Sequence, residues 1–262
     1  MIIQKALSEG FQILRTNNIK SALLDSEILM SEALAKKREY IILNIRNTLT
    51  QEKFNYFKYL IRKRAKGKPI AYLLKKKFFW KYEFYVDENV LIPRPDTELI
   101  VEAILNLTKN KKFLNILDVG VGSGCILLSV LKEKKGFIGT GIDISSKCLN
   151  ACKNNISKLK INNKINLFNS DVDNFSYGKY DLIISNPPYI KNFKLKYLEK
   201  DVAKFEPKLA LDGGLDGLSA IRKVIKKSSE LIKKNGRFVL EIGFDQKNKV
   251  ISLLKKEGFY IN

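Results

Sequence analysis

Histidine is absent from the 262-residue chain. That excludes Ser-His-Asp and Cys-His catalysis and every His-ligated metal site. Cysteine is scarce: Cys125, Cys148 and Cys152 form no Cys-x-x-Cys pair and no disulfide framework. Cys148 and Cys152 stand four apart, on one helix face, and read as small buried hydrophobes rather than a redox couple. No apolar run approaches the roughly 18–20 residues that cross a bilayer, so no membrane partner is expected. The opening Met1-Ile2-Ile3-Gln4-Lys5 lacks a basic segment followed by an apolar one, so no secretory signal is expected and the cytoplasm is the expected address. Arginine is also scarce, at 8 of the 48 basic residues.

Lysine, in contrast, is abundant, and the formal net charge is +21. One source of such a surplus is an acidic partner such as nucleic acid. The other is the Lys- and Asn-rich drift of an AT-rich genome, since readers of phosphates and bases favour Arg. The charge is uneven: residues 51–82 hold eleven Lys/Arg and one acid, Glu52. That stretch either faces an anionic partner or is a solvated helix and loop.

Hydrophobic residues make up 45% and charged residues 29%, a soluble globular profile long enough for one large domain and one small. Residues 2–16 and 21–37 carry helical periodicity, with Ser21 as a cap for the second. A third helix opens at Thr50-Gln51-Glu52-Lys53 and ends at Gly67-Lys68-Pro69. Short strands follow at 78–80, 84–86 and 90–92, with a turn at Asp87-Glu88-Asn89, read as a hairpin joining two domains. From residue 97 helices and strands alternate. Buried-type strands fall at 116–119, 137–142, 165–168, 181–185 and 238–242; helices fall at 97–109, 125–133, 145–159, 217–234 and 245–257. The expected fold class is α/β, a parallel sheet covered on both faces with right-handed crossovers.

Two motifs carry chemistry. Asp118-Val119-Gly120-Val121-Gly122-Ser123-Gly124 sits where the first strand of the sheet turns into a helix. Glycines there let the backbone approach a ligand, and the helix N-terminus offers free N–H groups. Asp143, just past the second strand, is placed to accept the hydroxyls of a ribose. No Lys-Ser/Thr pair follows, which disfavours a P-loop. The second motif is Ser185-Asn186-Pro187-Pro188-Tyr189, at the carboxyl end of the fourth strand. Two prolines stop the strand and hold an extended loop. That loop fixes the Asn amide, leaves the Pro187 carbonyl free as an acceptor and presents the flat face of Tyr189.

Asn-Pro-Pro-Tyr after a glycine-rich loop and an acidic strand end resembles the class I S-adenosylmethionine-dependent methyltransferases that modify a planar amide or exocyclic nitrogen. Ile92-Pro93-Arg94-Pro95-Asp96-Thr97-Glu98 is similar to the signature of the release factor glutamine methyltransferases, the HemK/PrmC family. So are Phe205-Glu206-Pro207, Ala210-Leu211-Asp212-Gly213-Gly214-Leu215-Asp216-Gly217-Leu218, Gly67-Lys68-Pro69-Ile70-Ala71-Tyr72 and Phe79-Trp80. The resemblance covers essentially the whole chain. It implies a Rossmann-like methyltransferase domain at 95–262, a helical substrate-docking domain at 1–75 and a β-hairpin linker at 76–94. It implies S-adenosyl-L-methionine as cofactor and, as partner, class I peptide chain release factors, methylated on the side-chain N5 of the glutamine in their Gly-Gly-Gln motif. Carried over by motif, Gly120, Val121, Gly122, Ser123 and Gly124 line the methionine end of the cofactor. Asp143 holds the ribose, and Asp171 and Val172 lie by the adenine. Asn186, which also borders the cofactor, and the Pro187 carbonyl accept from the substrate amide, with Pro188 and Tyr189 packing around it. Arg94 and Glu98 shape the pocket wall. No metal is implied, and nucleic-acid contact is compatible with the charge but not required. Such chemistry needs positioning and acceptors rather than a general base, so the missing histidine is no obstacle.

Three departures from that family stand out. Val121 occupies a position where the family has Thr, Lys75 one where it commonly has Gly, and Val172 one where a bulkier residue is common. The chain also ends at Asn262, soon after Gly258-Phe259-Tyr260, where the family continues with a strand pair. The expectation is a truncated or drifted sheet whose fifth strand is an exposed edge and whose stability is reduced. Two other functions compete: an adenine-N6 nucleic-acid methyltransferase, which would have to extrude its base, and a cofactor- or RNA-binding scaffold without activity. A glutamine of a ribosomal protein is an alternative acceptor for the same chemistry.

Overall fold

The structure, a computed structural model, describes residues 1–261 and divides into two units. The first comprises Met1–Lys75 with Glu199–Phe205, the second Lys76–Leu198 with Glu206 onward.

The first unit is helical: α1 (Ile3–Thr16), α2 (Ala22–Leu34), α3 (Arg38–Leu43), α4 (Gln51–Ala65), α5 (Ile70–Leu74) and, from the later segment, α9 (Lys200–Phe205). Ile3, Ala6, Gly10 and Leu14 of α1 recur every three or four residues and are buried, the spacing that puts them on one face. They meet Leu29 and Met30 of α2 and Phe57, Leu60 and Ile61 of α4 in one core. Thr50 caps α4, its side chain accepting from Lys53 N. Ser21 makes no such bond, so the expected cap on α2 is absent. The short α3 and α5 are additions to the expected bundle. One residue of the basic stretch turns inward: Arg64 Nε is 2.7 Å from Asp25 Oδ2, and both side chains are less than a tenth exposed. Arg64 also donates to the carbonyls of Gly67 and Lys68, so this buried charge is paired and hydrogen-bonded. Lys75, after α5, has φ +53°, the left-handed region in which glycine is unstrained.

The second unit begins with an antiparallel hairpin, β1 (Lys76–Phe79) and β2 (Tyr82–Tyr85). Its turn is Trp80-Lys81, with Trp80 at φ +56°; the predicted turn at 87–89 is present, Val90 N donating to Asp87 O at 3.1 Å, but it follows the hairpin and does not close it. The aromatic run obscured this, because a turn at Trp80 carries no Gly, Asn or Asp signal. Residues 90–92 form no strand. Then come α6 (Glu98–Leu107), β3 (Asn115–Val119), α7 (Cys125–Glu133), β4 (Ile138–Asp143), α8 (Ser146–Leu159), β5 (Ile165–Asn169), β6 (Tyr180–Ser185), α10 (Ser219–Leu231), β7 (Ile232–Leu240) and α11 (Lys247–Lys256). The strands form one parallel sheet in the order β5-β4-β3-β6-β7, the expected α/β class.

Alternate residues of β3 face opposite layers. Ile116 packs with α6, α7 and α8, while Leu117 and Val119 pack with Val224 and Leu231 of α10. β7 starts six residues before the predicted 238. A register shift separates the pairs Tyr180↔Ile232 and Leu182↔Arg237, and Asn235 within it has φ +64°, so a bulge bridges what the sequence shows as a turn. β7 is the sheet's edge, and no strand follows α11 among the described residues. No helix among those residues is long and apolar enough to cross a membrane.

Candidate active site

The strand order fixes where chemistry can gather. From β3 the chain runs outward to β4 and β5, then returns to β6 on the other side of β3. Ligands of open α/β sheets bind at the carboxyl ends of the strands where the order reverses. Here those strands pair up to Val119↔Ser185, and Ser185 Oγ donates to Val119 O at 2.7 Å. Residues 120–124 leave one strand and residues 186–189 leave the other.

A cleft of about 430 Å³ opens between them. Gly120, Val121, Gly122, Ser123 and Asp143 line it, as do Asp171, Val172, Asn186, Pro187 and Pro188. Gly120 and Gly122 have φ of +78° and +55°. A Cβ on Gly120 would meet no atom within 4 Å, and one on Gly122 only the Gly120 carbonyl at 3.9 Å. The space that side chains would fill is therefore cleft, a cradle for a ligand at the start of α7. Val121 contributes backbone only. Its side chain is buried against Gly141, so a hydroxyl there is not needed for the loop's shape.

Asp143 is held from both sides: Oδ2 accepts from Gly122 N at 3.0 Å and Oδ1 from Ser145 N at 2.9 Å. Burial raises its pKa, and these two N–H groups oppose the rise. A carboxylate so fixed, beside a glycine cradle and the apolar Val172, is a donor and acceptor set that fits S-adenosylmethionine. Among the described residues no His/Cys/Asp/Glu group is arranged to hold a metal.

Three expected residues lie elsewhere. Gly124 caps α7 with φ +81° and is not a cleft residue. A Cβ there would meet Cys152 Sγ at 2.7 Å and Leu128 Cδ1 at 2.8 Å, so its role is helix packing. Glu98 accepts from Trp80 N at 2.9 Å and anchors the hairpin turn, whereas Arg94 does line the cleft. Tyr189 lines an adjoining groove of about 590 Å³ along the end of β7.

Sequence reasoning missed the residues that hold these groups in place. Asn186 Nδ2 donates to Thr97 Oγ1 at 3.3 Å, which turns Oδ1 away as a free acceptor. Thr97 is buried; in the sequence it stands out only as part of the 92–98 motif. Arg94 pairs with Glu206 Oε1 at 2.5 Å, and Glu206 Oε2 accepts from Ile92 N, fixing the segment over the cleft. Asn155 Nδ2 donates to Ser123 O at 2.8 Å and Tyr85 O at 3.0 Å, and its Oδ1 accepts from Tyr85 N. This buried amide joins the glycine loop to the hairpin. An Asn on an apolar helix face was its only signal. Gln246 Nε2 donates to Tyr189 O at 3.1 Å and Gly217 O at 2.9 Å, and Gly213 N donates to Ile190 O at 2.8 Å. The loop after Asn186 is thus clamped by the glycine-rich segment 211–217.

The cysteines are inert. Burial pushes the Cys125 and Cys148 thiols up to about 12 and about 11 and the Cys152 thiol higher still, so none is a thiolate near neutrality. Cys152 is buried as expected. Cys148 is not: it borders the cleft and donates to Asn89 O at 3.1 Å.

Asp118 carries a pH prediction. Burial, and then the charge of Asp143, pushes its carboxyl up to about 8 from 3.8, against the N–H of Leu127. The folded state therefore holds a proton that the unfolded chain has released. The stability this proton contributes is full below about pH 4 and is lost as pH rises through about 8. Asp118→Asn removes the titration. The variant's melting temperature relative to the parent should rise between about pH 5 and about pH 8, and a pH-independent difference would refute the assignment.

A family model described as the PrmC N-terminal domain matches residues 5–74, and one described as the methyltransferase small domain matches residues 95–215. A release factor glutamine methyltransferase of Caulobacter vibrioides is 34% identical over 259 residues, covering 98% of this chain and 90% of that protein. One from Clostridium acetobutylicum is 36% identical over 263 residues, covering 99% and 92%. One from Buchnera aphidicola is 36% identical over 260 residues, covering 99% and 92%.

Proposed function

The chain belongs to the release factor glutamine methyltransferase family, and from that membership and the cleft we propose that it methylates the N5 amide of the glutamine in the Gly-Gly-Gln motif of class I peptide chain release factors. The observation that carries the reading is the Asn186 amide, oriented by Thr97 beside the cradle of Gly120 and Gly122. S-adenosylmethionine, when bound, supplies a methyl group on a sulfonium, an electrophile that needs no activation. Gly120, Gly122 and the N-terminus of α7 take its methionine end, Asp143 its ribose, and Asp171 and Val172 its adenine.

The difficulty lies with the acceptor. An amide nitrogen is a weak nucleophile because its lone pair is delocalised. Asn186 Oδ1 and the Pro187 carbonyl accept its two N–H groups, which aims the nitrogen along one line. Tyr189, next in the chain to the cleft-lining Pro188 and facing the adjoining groove, offers its ring to the amide plane where the groove meets the cleft. Positioning of this kind contributes about 7–11 kcal/mol, and the same two acceptors stabilise positive charge developing on nitrogen. Once alkylated, the nitrogen is acidic, and the proton held at Asn186 Oδ1 passes to water. No side-chain base is required, consistent with a chain that has no histidine. The helical unit, with its basic α4, serves to dock the protein substrate.

The test is transfer of labelled methyl to a purified release factor, to its Gly-Gly-Ala variant, and to duplex and single-stranded DNA. Label on the wild-type factor alone is expected. Label on DNA would instead establish the adenine-N6 reading.

A further inference from the structure

Beside the 186–189 loop, β7 runs out into Leu240-Glu241-Ile242. Glu241 N donates to Ser185 O at 3.0 Å, which fixes the residue opposite the point where Asn186 leaves β6. Its carboxyl reaches back to the loop, and Oε1 accepts from the Tyr189 hydroxyl at 3.2 Å. The side chains of Thr97 and Asn186 lie against the same carboxyl. Oε2 is buried and has no hydrogen-bond partner among the described residues. A half-buried carboxyl with one buried, unpartnered oxygen, between Leu240 and Ile242, is a poor choice for holding a sheet together; an apolar residue would serve β7 better.

The geometry instead ties the residue to Tyr189. The backbone of Tyr189 is pinned by Gln246, whereas among the described residues the one hydrogen bond on its side chain is that to Glu241. Its ring also packs against the apolar cluster of Leu218, Ile221, Ile225 and Val250, a non-directional contact, so the bond to Glu241 is what fixes the direction of the hydroxyl.

We propose that Glu241 is a positioning residue for methyl transfer: its carboxyl holds the Tyr189 hydroxyl and so sets the plane of the ring against which the acceptor amide packs. This rests on the function proposed above. A misplacement of about 1 Å by a residue away from the chemistry costs on the order of a hundredfold in rate. Glu241→Ala should therefore lower kcat by about tenfold to a hundredfold and leave the KM for S-adenosylmethionine within about twofold of the parent's. Glu241→Gln should recover most of the rate, because its amide oxygen still accepts from the hydroxyl. In a Tyr189→Phe background, Glu241→Ala should cost nothing further. A measurement independent of turnover is the Cζ resonance of Tyr189 in carbon-13 tyrosine-labelled protein. It should move in Glu241→Ala and stay close to the parent's in Glu241→Gln. Parental kcat in Glu241→Ala, an additive loss in the Tyr189→Phe background, or an unmoved Tyr189 resonance would overturn the proposal. Should the parent chain transfer no methyl to the release factor, the function proposed above fails, and the resonance still decides the role of Glu241.

Discussion

Replacing Asn186 by Ala should lower kcat for methyl transfer by about 10²–10³-fold while S-adenosylmethionine binds within about threefold of the parent's affinity. The asymmetry follows from what each atom of the side chain meets. Nδ2 faces Thr97 Oγ1 at 3.3 Å and the Glu241 carboxyl, so a flipped amide would turn its oxygen toward a carboxylate acceptor. Oδ1 is the half that remains for the substrate. Its removal takes away one of two acceptors that aim the nitrogen and stabilise the charge it gains. The Gly120 and Gly122 cradle and Asp143 are untouched. Asn186→Asp should be almost as damaging: it keeps an acceptor but loses the donor to Thr97 and adds a charge beside Glu241, whose pKa burial already raises. Single-turnover kinetics, with calorimetry for the cofactor, separates the two effects. Equal losses in both would place Asn186 mainly in cofactor binding.

The second large effect is expected at Asp143. Asp143→Ala should weaken S-adenosylmethionine about a hundredfold. Two charge-assisted hydrogen bonds to ribose hydroxyls, at roughly 1.5 kcal/mol or more each, correspond to that loss. The alanine variant also frees Gly122 N and Ser145 N, which the carboxylate now satisfies. Asp143→Asn should be no rescue. Both oxygens face backbone donors, so an amide must turn its NH₂ toward an N–H. Calorimetric titration with S-adenosylhomocysteine measures the loss. An asparagine variant that binds like the parent would show that the charge and the double acceptor do not matter.

What the sequence made legible is what local physics specifies. Strand-helix alternation gave the parallel sheet, and the glycine loop and Asn-Pro-Pro-Tyr fell at the carboxyl ends of β3 and β6 because turns and prolines write themselves into composition. Asp143 was visible from its distance past the glycines. The supports were not. Asn155, Glu206 and Gln246 act across 32, 112 and 57 residues of chain, and nothing local marks a polar residue whose partner is that distant. The hairpin turn failed for a related reason: Trp80 adopts φ +56° although it is not a turn former, because its N–H is held by Glu98 and its indole by Glu133. Arg64 was hidden in a basic run, and only the buried Asp25, 39 residues away, distinguishes it from its solvated neighbours. Gly124 misled in the opposite sense, since its place in a ligand-binding motif concealed a packing role against Cys152 and Leu128.

Transfer to a glutamine amide nitrogen is defined by the atom that carries the methyl group. Fragmentation mass spectrometry of a release factor incubated with this protein and S-adenosylmethionine tests it at the level of the atom. One added methyl group is expected on the side chain of the Gly-Gly-Gln glutamine, absent when Asn186→Ala replaces the parent chain. A methyl on another side chain, or on nucleic acid carried through the same incubation with the glutamine unmodified, would contradict it.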